Sequence, residues 1–492
     1  MRIQEVLVFT GAAQVFAGAL PRATYGEHYK PLVNSKGLQD AITTEKLMGN
    51  LQSLDTIAKA NGGNRAFGYP GYAASVDYIL SRTANSSNFH TWVQDFPTLF
   101  QHVDSISFIA DNQSIPVVGL TYSPSTTKEG FTTPLVLGVT GPEGCTNEAY
   151  ENLDVEGKIV LVQRGLCPDG TTFAGRMKPA AAAGAIAVVI YNDVSTPATG
   201  GTLTNPNPEE YVPAGLINKA PGDALAARLA AGETITAYFQ QTQTIETRIT
   251  QNVFTETIDG DPTNVIMLGA HLDSVFAGAG INDDGSGTSL ILEVKTALEK
   301  FRTRNKVRFA WWGAEENGKK GSIYYVEHLN ATAANDILAY LNFDMVSKGY
   351  FGVFDGDGST HGLKGPAGSD VIEKLFVDDL TGKGINVTAA VFTGGSDYKS
   401  FMDVGKPVGG LHTGTGVAQD PCYHQACDNI DNPEPATLTV NAKAAAHVLS
   451  VLATRGQEII PKSPVNSTMV VGREIQWTIP EGERHRDCGG EV

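Results

Sequence analysis

The stretch Val265-Ile-Met-Leu-Gly-Ala-His271-Leu-Asp273 is an apolar run that ends in an imidazole and a carboxylate. The run predicts a buried β-strand over Val265–Ala270. If the chain stays extended, His271 and Asp273 point to the same side, because successive side chains of a strand alternate. The Asp273 carboxylate can then orient the His271 imidazole by accepting a hydrogen bond from the ring nitrogen that does not bind metal, an arrangement common in zinc sites.

Metal-ligand residue types recur at the ends of other apolar or constrained segments further along the chain. They are Asp283 within Gly280–Gly287, Glu315 and Glu316 after Arg308–Ala314, Asp344 after Leu338–Phe343, and His424 within Cys422–Cys427. Gathering carboxylates and imidazoles in one place is costly unless a cation neutralises them. Any one of them alone is more often structural or solvated. The set indicates a two-metal hydrolase.

The residues alone leave two assignments open. Asp284 is as available as Asp283 for a ligand role. Glu315 and Glu316 diverge in an extended segment, so one is expected to bind metal while its neighbour handles protons. The adjacent Trp311 and Trp312 are expected in the core of the sheet, and His361 and His412 receive no role.

Around these residues the sequence alternates strands and helices. It predicts a helix over Ser289–Phe301 and strands over Val307–Trp312 and Ile337–Asn342, and residues 38–85 carry the periodicity of two core-packing helices. This alternation predicts an α/β fold, with a sheet covered by helices on both faces and ligands bound at its strand ends.

The texture changes along the chain, and this indicates separate units. Between residues 116 and 244, short Val/Ile runs separated by Gly, Pro and Asn predict a β-rich module. It divides an N-terminal part, 20–115, from a second part, 245–453. After Ala453 the periodicity stops, so 454–492 is expected to be a polar, removable tail.

Composition bounds the partners. The 492 residues include 36 basic and 53 acidic side chains, and the net charge of −17 argues against nucleic acid or an anionic membrane. The length favours more than one domain. Beyond the N-terminal apolar run, no stretch appears long and apolar enough to cross a membrane.

The N-terminus and the cysteines predict secretion. Residues 1–19 have the pattern of a signal peptide, with a membrane anchor as the alternative. Cys145 with Cys167, and Cys422 with Cys427, look like disulfides of an oxidising compartment, which leaves Cys488 over. N-glycosylation sequons occur at Asn85, Asn112, Asn330, Asn386 and Asn466. The medium is the expected destination and an acidic vacuole the alternative.

Taken together, these residues resemble the co-catalytic zinc aminopeptidases of the aminopeptidase Y and secreted fungal leucine aminopeptidase type. The resemblance covers most of the chain. The motifs that carry it are His271-Leu-Asp-Ser-Val, Gly280-Ile-Asn-Asp-Asp-Gly-Ser-Gly287, Trp312-Gly-Ala-Glu-Glu316, Asn342-Phe-Asp-Met345, Gly395-Ser-Asp-Tyr398 and Tyr423-His424. It implies a zinc-exopeptidase-like fold, a mixed sheet sandwiched by helices.

The resemblance also implies roles. One Zn²⁺ would be held by His271, Asp283 and Asp344, and a second by Glu316, His424 and the same bridging Asp283. Glu315 would be the general base, and Tyr423 could donate a hydrogen bond to the developing oxyanion. The β-rich module resembles an inserted protease-associated domain, with a lid-like or partner-binding role.

One departure and two alternatives accompany the resemblance. Many bacterial relatives have an arginine where this chain has Gly395, so a substrate's free amine is expected to be held by acids such as Glu315 and Asp344. The expected substrates are peptides with a free, apolar N-terminal residue, and the expected state is a monomer. The alternatives are a glutamate-carboxypeptidase-like exopeptidase and a non-catalytic, receptor-like relative.

Overall fold

The computed structural model describes residues 30–198, 200–205 and 209–463. The predicted signal peptide, Cys488 and the sequon at Asn466 therefore lie outside the described residues. The elements, in chain order, are α1 (Ser35–Ala41), α2 (Thr44–Ala60), α3 (Pro70–Thr83), β1 (Phe89–Ala110), β2 (Gln113–Ile115), β3 (Val117–Gly119), β4 (Phe131–Leu137), two short 3₁₀ helices (Pro142–Cys145 and Asn147–Tyr150), β5 (Ile159–Gln163), α4 (Ala174–Ala182), β6 (Ala187–Tyr191), β7 (Ala214–Ile217), α5 (Lys219–Ala230), β8 (Thr236–Thr257), β9 (Asp261–His271), α6 (Gly285–Leu298), β10 (Asn305–Trp312), α7 (Lys320–Glu327), α8 (Ala331–Asp336), β11 (Ile337–Phe343), β12 (Phe351–Phe354), α9 (Ser369–Gly382), β13 (Val387–Ala390), α10 (Tyr398–Asp403), β14 (Val408–His412) and α11 (Pro435–Ile459).

The larger half of the fold, which contains α1–α3 and the elements from β9 onward, is built on a mixed sheet with strand order β13-β12-β14-β11-β9-β10-β8. Its central strands β14, β11, β9 and β10 are parallel, whereas β12 and β8 run antiparallel to their neighbours β14 and β10. Trp311 and Trp312 are both fully buried, and they pack into the two different cores on opposite faces of this sheet. The predicted α/β fold, covered on both faces, is confirmed.

The β-rich module continues the same sheet through the order β8-β4-β5-β6-β7-β3 and has cores of its own. It is joined to the larger half by a two-stranded ribbon: β1 and β8 pair antiparallel from Phe89↔Thr257 to Ala110↔Ala237. The pairing register shifts once, between Val103 and Ser105. The Cys145–Cys167 disulfide lies within this module, as predicted.

The last helix differs from its prediction in two ways. It runs past Ala453 and ends at Ile459, with non-helical backbone angles at Arg455, so the first residues of the predicted tail belong to a helix. By length and composition α11 could also cross a membrane, so the expectation that no such stretch exists was wrong. Because 67% of the most apolar 18-residue stretch of α11 is buried inside the protein, we interpret α11 as a core helix.

Helix α6 begins at Gly285, four residues before its predicted start at Ser289. The reason is local: the Asp284 side chain accepts a hydrogen bond from the Gly287 amide and caps the helix. A side chain at position 287 would lie 2.0 Å from the Phe343 carbonyl oxygen, so only glycine lets this first turn approach β11. The early start fixes the loop that carries Asp283.

Stability should depend on the sheet core. Val307 on β10 is fully buried, so Val307→Ala is expected to lower the free energy of unfolding of the larger half by about 2 kcal/mol. Val417 is 86% exposed, and Val417→Ala should change it by less than about 0.5 kcal/mol. Denaturant unfolding of both variants measures the difference. Equal effects would contradict this account of the core.

Candidate metal centre

The parallel strands bring the predicted site residues to one edge of the sheet. His271 is the last residue of β9, Asp344 directly follows β11, and Glu315 and Glu316 come shortly after β10. Since parallel strands end at the same edge, these side chains converge. They line one cavity together with Asp283, Tyr423 and His424.

Asp283 lies between two imidazoles. Its Oδ1 is 3.1 Å from His271 Nε2, and its Oδ2 is 3.2 Å from His424 Nε2. On one side, His271 Nε2 also lies 3.6 Å from Asp344 Oδ1, and on the other, His424 Nε2 lies 3.1 Å from Glu316 Oε2. The arrangement therefore has two halves that share one carboxylate.

Asp283 and Asp284 differ in their hydrogen bonds. The Asp284 carboxylate accepts three backbone amides, from His271 at 3.1 Å, Gly287 at 2.8 Å and Met345 at 3.2 Å. It therefore ties the β9 end to the start of α6 and the segment after β11. Asp283 is left facing the imidazoles.

The Asp273 carboxylate accepts backbone amides, whereas the sequence predicts that it orients the His271 imidazole. The amides are those of Glu315 at 3.1 Å and Glu316 at 3.2 Å, so the carboxylate fixes the segment that carries both acids. The His271 Nδ1 is 3.2 Å from the Asp273 backbone carbonyl and 3.7 Å from its carboxylate. The carbonyl is thus the nearer partner of the imidazole. Burial raises the pKa of Asp273 to about 6.

Glu315 is a buried carboxylate with a second one nearby. Burial raises its pKa well above the usual range, although His271 and Lys319 act in the opposite direction. Asp397, from the Gly395–Tyr398 motif, is 1% exposed, and burial raises its pKa to about 7. The charge of Asp397 adds to the cost of ionising Glu315 and so helps to raise the pKa of Glu315.

The residues present fit a bound cation. Among the described residues, no hydrogen-bond donor reaches the buried Glu316 Oε1. The donor set of two imidazoles and three carboxylates is typical of zinc centres. Two sets of three side chains have ligand atoms within 4.8 Å of one another, and both sets contain His271. The first set adds Asp283 and Glu316, and the second adds Asp284 and Asp344.

Sequence reasoning missed the residues that support this edge from behind. Arg65 is fully buried and donates hydrogen bonds to the backbone carbonyls of Leu272, Ala279 and Gly280. It comes from the segment between α2 and α3, where no pattern marks it. It joins the two segments that carry His271 and Asp283.

The loop of His424 is fastened to the loop of Asp283. Asp428 accepts the backbone amides of Asn282 at 2.8 Å and Asp283 at 3.0 Å. The Asn282 side chain donates to Asp420 at 2.7 Å. The predicted Cys422–Cys427 disulfide is present, and the Tyr423 and His424 rings stack at 3.9 Å.

His412 is a further residue to which sequence reasoning gave no role. It ends β14, lines the cavity, and its Nδ1 lies 2.8 Å from the Asp344 backbone carbonyl. Its place at the end of a Val-Gly-Gly-Leu run was the available signal, and it is the same strand-end signal that identified His271.

This sheet, with imidazoles and carboxylates at the carboxyl edge of its parallel strands, defines a metallohydrolase. The family model "Peptidase family M28" matches residues 252–449, and the PA domain model, which describes the protease-associated domain, matches residues 131–225. Leucine aminopeptidase 2 of Arthroderma otae is 35% identical, over 94% of this chain and 95% of its own length. Leucine aminopeptidase 2 of Trichophyton rubrum is 34% identical, over 92% of both.

Solved structures agree. An aminopeptidase from Aneurinibacillus sp. strain AM-1 superposes with a TM-score of 0.72 at 27% identity, covering 88% of this chain and 98% of that one. A zinc aminopeptidase from Bacillus subtilis shares the fold, with a TM-score of 0.67 at 22% identity over 86% and 98%. The chain belongs to peptidase family M28, with a PA domain, and is a metallo-aminopeptidase.

Arg65 should matter to metal binding although it does not reach the cavity. Arg65→Met leaves three buried carbonyls without their donor, and the segments of His271 and Asp283 lose their common support. We expect metal affinity to fall by about 10–100-fold, measured by competition with a zinc indicator. Arg82→Met, an exposed arginine of α3, is the matched control and should keep wild-type affinity.

Metal affinity should also fall as pH falls. Burial opposes protonation of His271 and His424, but neighbouring carboxylates outweigh it and raise the pKa of both imidazoles well above the usual range. A metal binds the neutral imidazole, so protons compete with it below these raised pKa values. We expect about tenfold weaker binding, or more, per pH unit lost. An affinity that does not change between roughly pH 8 and pH 5 would contradict this.

Proposed function

We propose that this metallo-aminopeptidase is a secreted enzyme with two zinc ions that removes apolar, leucine-type residues from the free N-terminus of peptides. The observation that carries the proposal is Asp283, which faces His271 through one oxygen and His424 through the other. A carboxylate in this position is suited to bridge two cations. Glu315 lines the same cavity and is suited to proton transfer.

The residues divide into two ligand sets. His271, Asp283 and Asp344 would hold one zinc ion, and Asp283, Glu316 and His424 the other. Zinc supplies Lewis acidity when bound, which makes water nucleophilic at neutral pH and polarises a carbonyl. Asp273, through the amides of Glu315 and Glu316, keeps a proton-transfer group and a ligand in fixed register.

The chain's own proton chemistry centres on Glu315. As general base it takes a proton from the attacking water, and as general acid it returns the proton to the departing amine. Its raised pKa, caused by burial, favours this exchange. Tyr423 lines the same cavity and is assigned as a hydrogen-bond donor to the developing oxyanion.

Recognition of the free N-terminus is assigned to acids. The ammonium group of a peptide is positive, and Glu315 and Asp344 offer it carboxylates within the cavity. Gly395 lines that cavity at the position where many bacterial relatives have an arginine. The preference for apolar residues rests on the names of the fungal relatives.

Several further assignments belong to the proposal. We assign residues 1–19 to a signal peptide, 20–115 and 245–453 to the peptidase domain, 116–244 to the PA domain and 454–492 to a tail that begins as the end of α11. The PA domain would limit access of large substrates. The two disulfides support passage through an oxidising compartment, and we propose secretion, with the vacuole as the alternative, and a monomer.

The first experiment compares leucyl-p-nitroanilide with its N-acetylated form, using purified protein with and without a zinc chelator. Cleavage of the free-amine substrate only, lost on chelation and restored by zinc, is expected. Zinc content measured by mass spectrometry should be two per chain by the proposal above. Cleavage of C-terminal acidic dipeptides by zinc-loaded protein, without cleavage of the leucyl amide, would support the carboxypeptidase-like alternative instead.

Glu315→Gln separates chemistry from metal binding. The amide cannot accept the proton, so kcat should fall by about 10²–10⁴-fold while the zinc content stays unchanged. Glu327→Gln, an exposed glutamate at the end of α7, is the matched control and should keep wild-type kcat. Full activity of Glu315→Gln would remove Glu315 from the mechanism, and loss of zinc would make it a ligand.

A further inference from the structure

Three carboxylates come together away from the metal centre, in the segment after β12. Asp355 and Asp357 belong to the loop Asp355-Gly-Asp-Gly-Ser-Thr-His361, and Glu373 lies on α9. One carboxylate oxygen of each lies within 4.8 Å of the other two. The catalytic assignment above uses none of these residues.

The backbone of the loop holds each carboxylate by one oxygen. Asp355 Oδ2 accepts the amides of Thr360 at 3.1 Å and His361 at 2.7 Å. Asp357 Oδ1 accepts the Ser359 amide at 2.7 Å, and Glu373 Oε2 accepts the Asp357 amide at 2.9 Å. These bonds orient the acids and leave a second oxygen on each of them.

The second oxygen of Asp355 is the unusual one. Asp355 is 0% exposed, and among the described residues no hydrogen-bond donor reaches its buried Oδ1. A buried carboxylate oxygen without a partner is costly, and two further acids beside it add repulsion. Hydrogen bonds from Ser359 and the nearby charge of Lys364 lower the pKa of the exposed Asp357, but within the described chain no cationic side chain reaches the buried Asp355 Oδ1. The buried oxygen of the cluster is therefore the one that calls for a bound cation.

We propose that Asp355, Asp357 and Glu373 bind one divalent cation of the calcium class, at a site separate from the zinc centre. The donors are carboxylate oxygens only, which hard cations prefer, whereas zinc sites favour histidine and cysteine. Calcium accepts six to eight oxygens, water included, in flexible geometry. Because Asp357 is exposed and Glu373 partly so, water can complete the shell from the solvent side.

The cation would fasten the loop after β12 to α9. Strand β12 pairs with β14 through Gly352↔His412, and His412 forms part of the cavity wall. The bound cation therefore stabilises the part of the sheet next to the catalytic edge. The three acids that bind this cation do not line the catalytic cavity. The expected effect is on stability first.

The test is calcium titration of the zinc-loaded full chain by isothermal calorimetry, with zinc held constant, beside thermal unfolding at increasing calcium chloride. One calcium per chain and a rising Tm are expected. Asp357→Asn and Glu373→Gln should each bind calcium at least about tenfold more weakly. Asp378→Asn removes an exposed acid of α9 that pairs with Lys374 and lies outside the cluster, so this variant should bind calcium as the wild type does.

Three outcomes would overturn the proposal: no heat and no Tm shift at millimolar calcium, binding that both cluster variants retain, or binding of magnesium chloride in place of calcium. Circular dichroism checks that the two variants fold, and both changes lie at positions open to solvent. Asp355 is left unchanged in this test because its burial ties it to folding. Neither readout requires catalytic activity, so a failure here is distinct from a failure of the proposed function.

Discussion

The concentration of buried negative charge at the carboxyl edge of the sheet is the constraint on which the rest of the structure depends. Carboxylates at this density repel one another, and burial adds a desolvation cost. The fold meets that cost with backbone amides, which Asp273, Asp284 and Asp428 accept, and leaves the remaining carboxylates for cations. Arg65 donates its hydrogen bonds to backbone carbonyls, so it supports this edge without pairing with the carboxylates that face the cavity.

Two pairs of identical neighbours show how backbone direction divides labour. Asp283 and Asp284 differ by one position, yet one faces imidazoles and the other caps α6 and the adjoining strand ends. Glu315 and Glu316 diverge in the same way: Glu316 lies beside His424, and Glu315 remains a buried acid that pairs with neither imidazole. Adjacent identical residues thus have different contacts, so a shift of the chain by one residue at either pair would exchange those contacts.

Strand ends were predictable because a local pattern marks them. His271 and Asp344 each follow an apolar run, and parallel pairing, which the alternation of strands and helices implies, brings the runs' ends together. Arg65 and Asp428 could not be found this way, since their partners are backbone atoms far away in sequence and no periodicity marks them. The start of α6 was misplaced for a different reason: Gly285 and Gly287 have weak helix propensity, and the local cap by the Asp284 side chain overrides it.

The ribbon of β1 and β8 has a mechanical consequence. Both chain connections to the PA domain run side by side and are hydrogen-bonded to each other from Phe89 to Ala110, so the domain is carried on a stiff twin-stranded arm instead of two independent tethers. Twisting such an arm would break its ladder, whereas bending is easiest where the register slips beside Asp104. The arm thus restrains rotation of the PA domain about the ribbon axis, and the interrupted ladder beside Asp104 is its most deformable point.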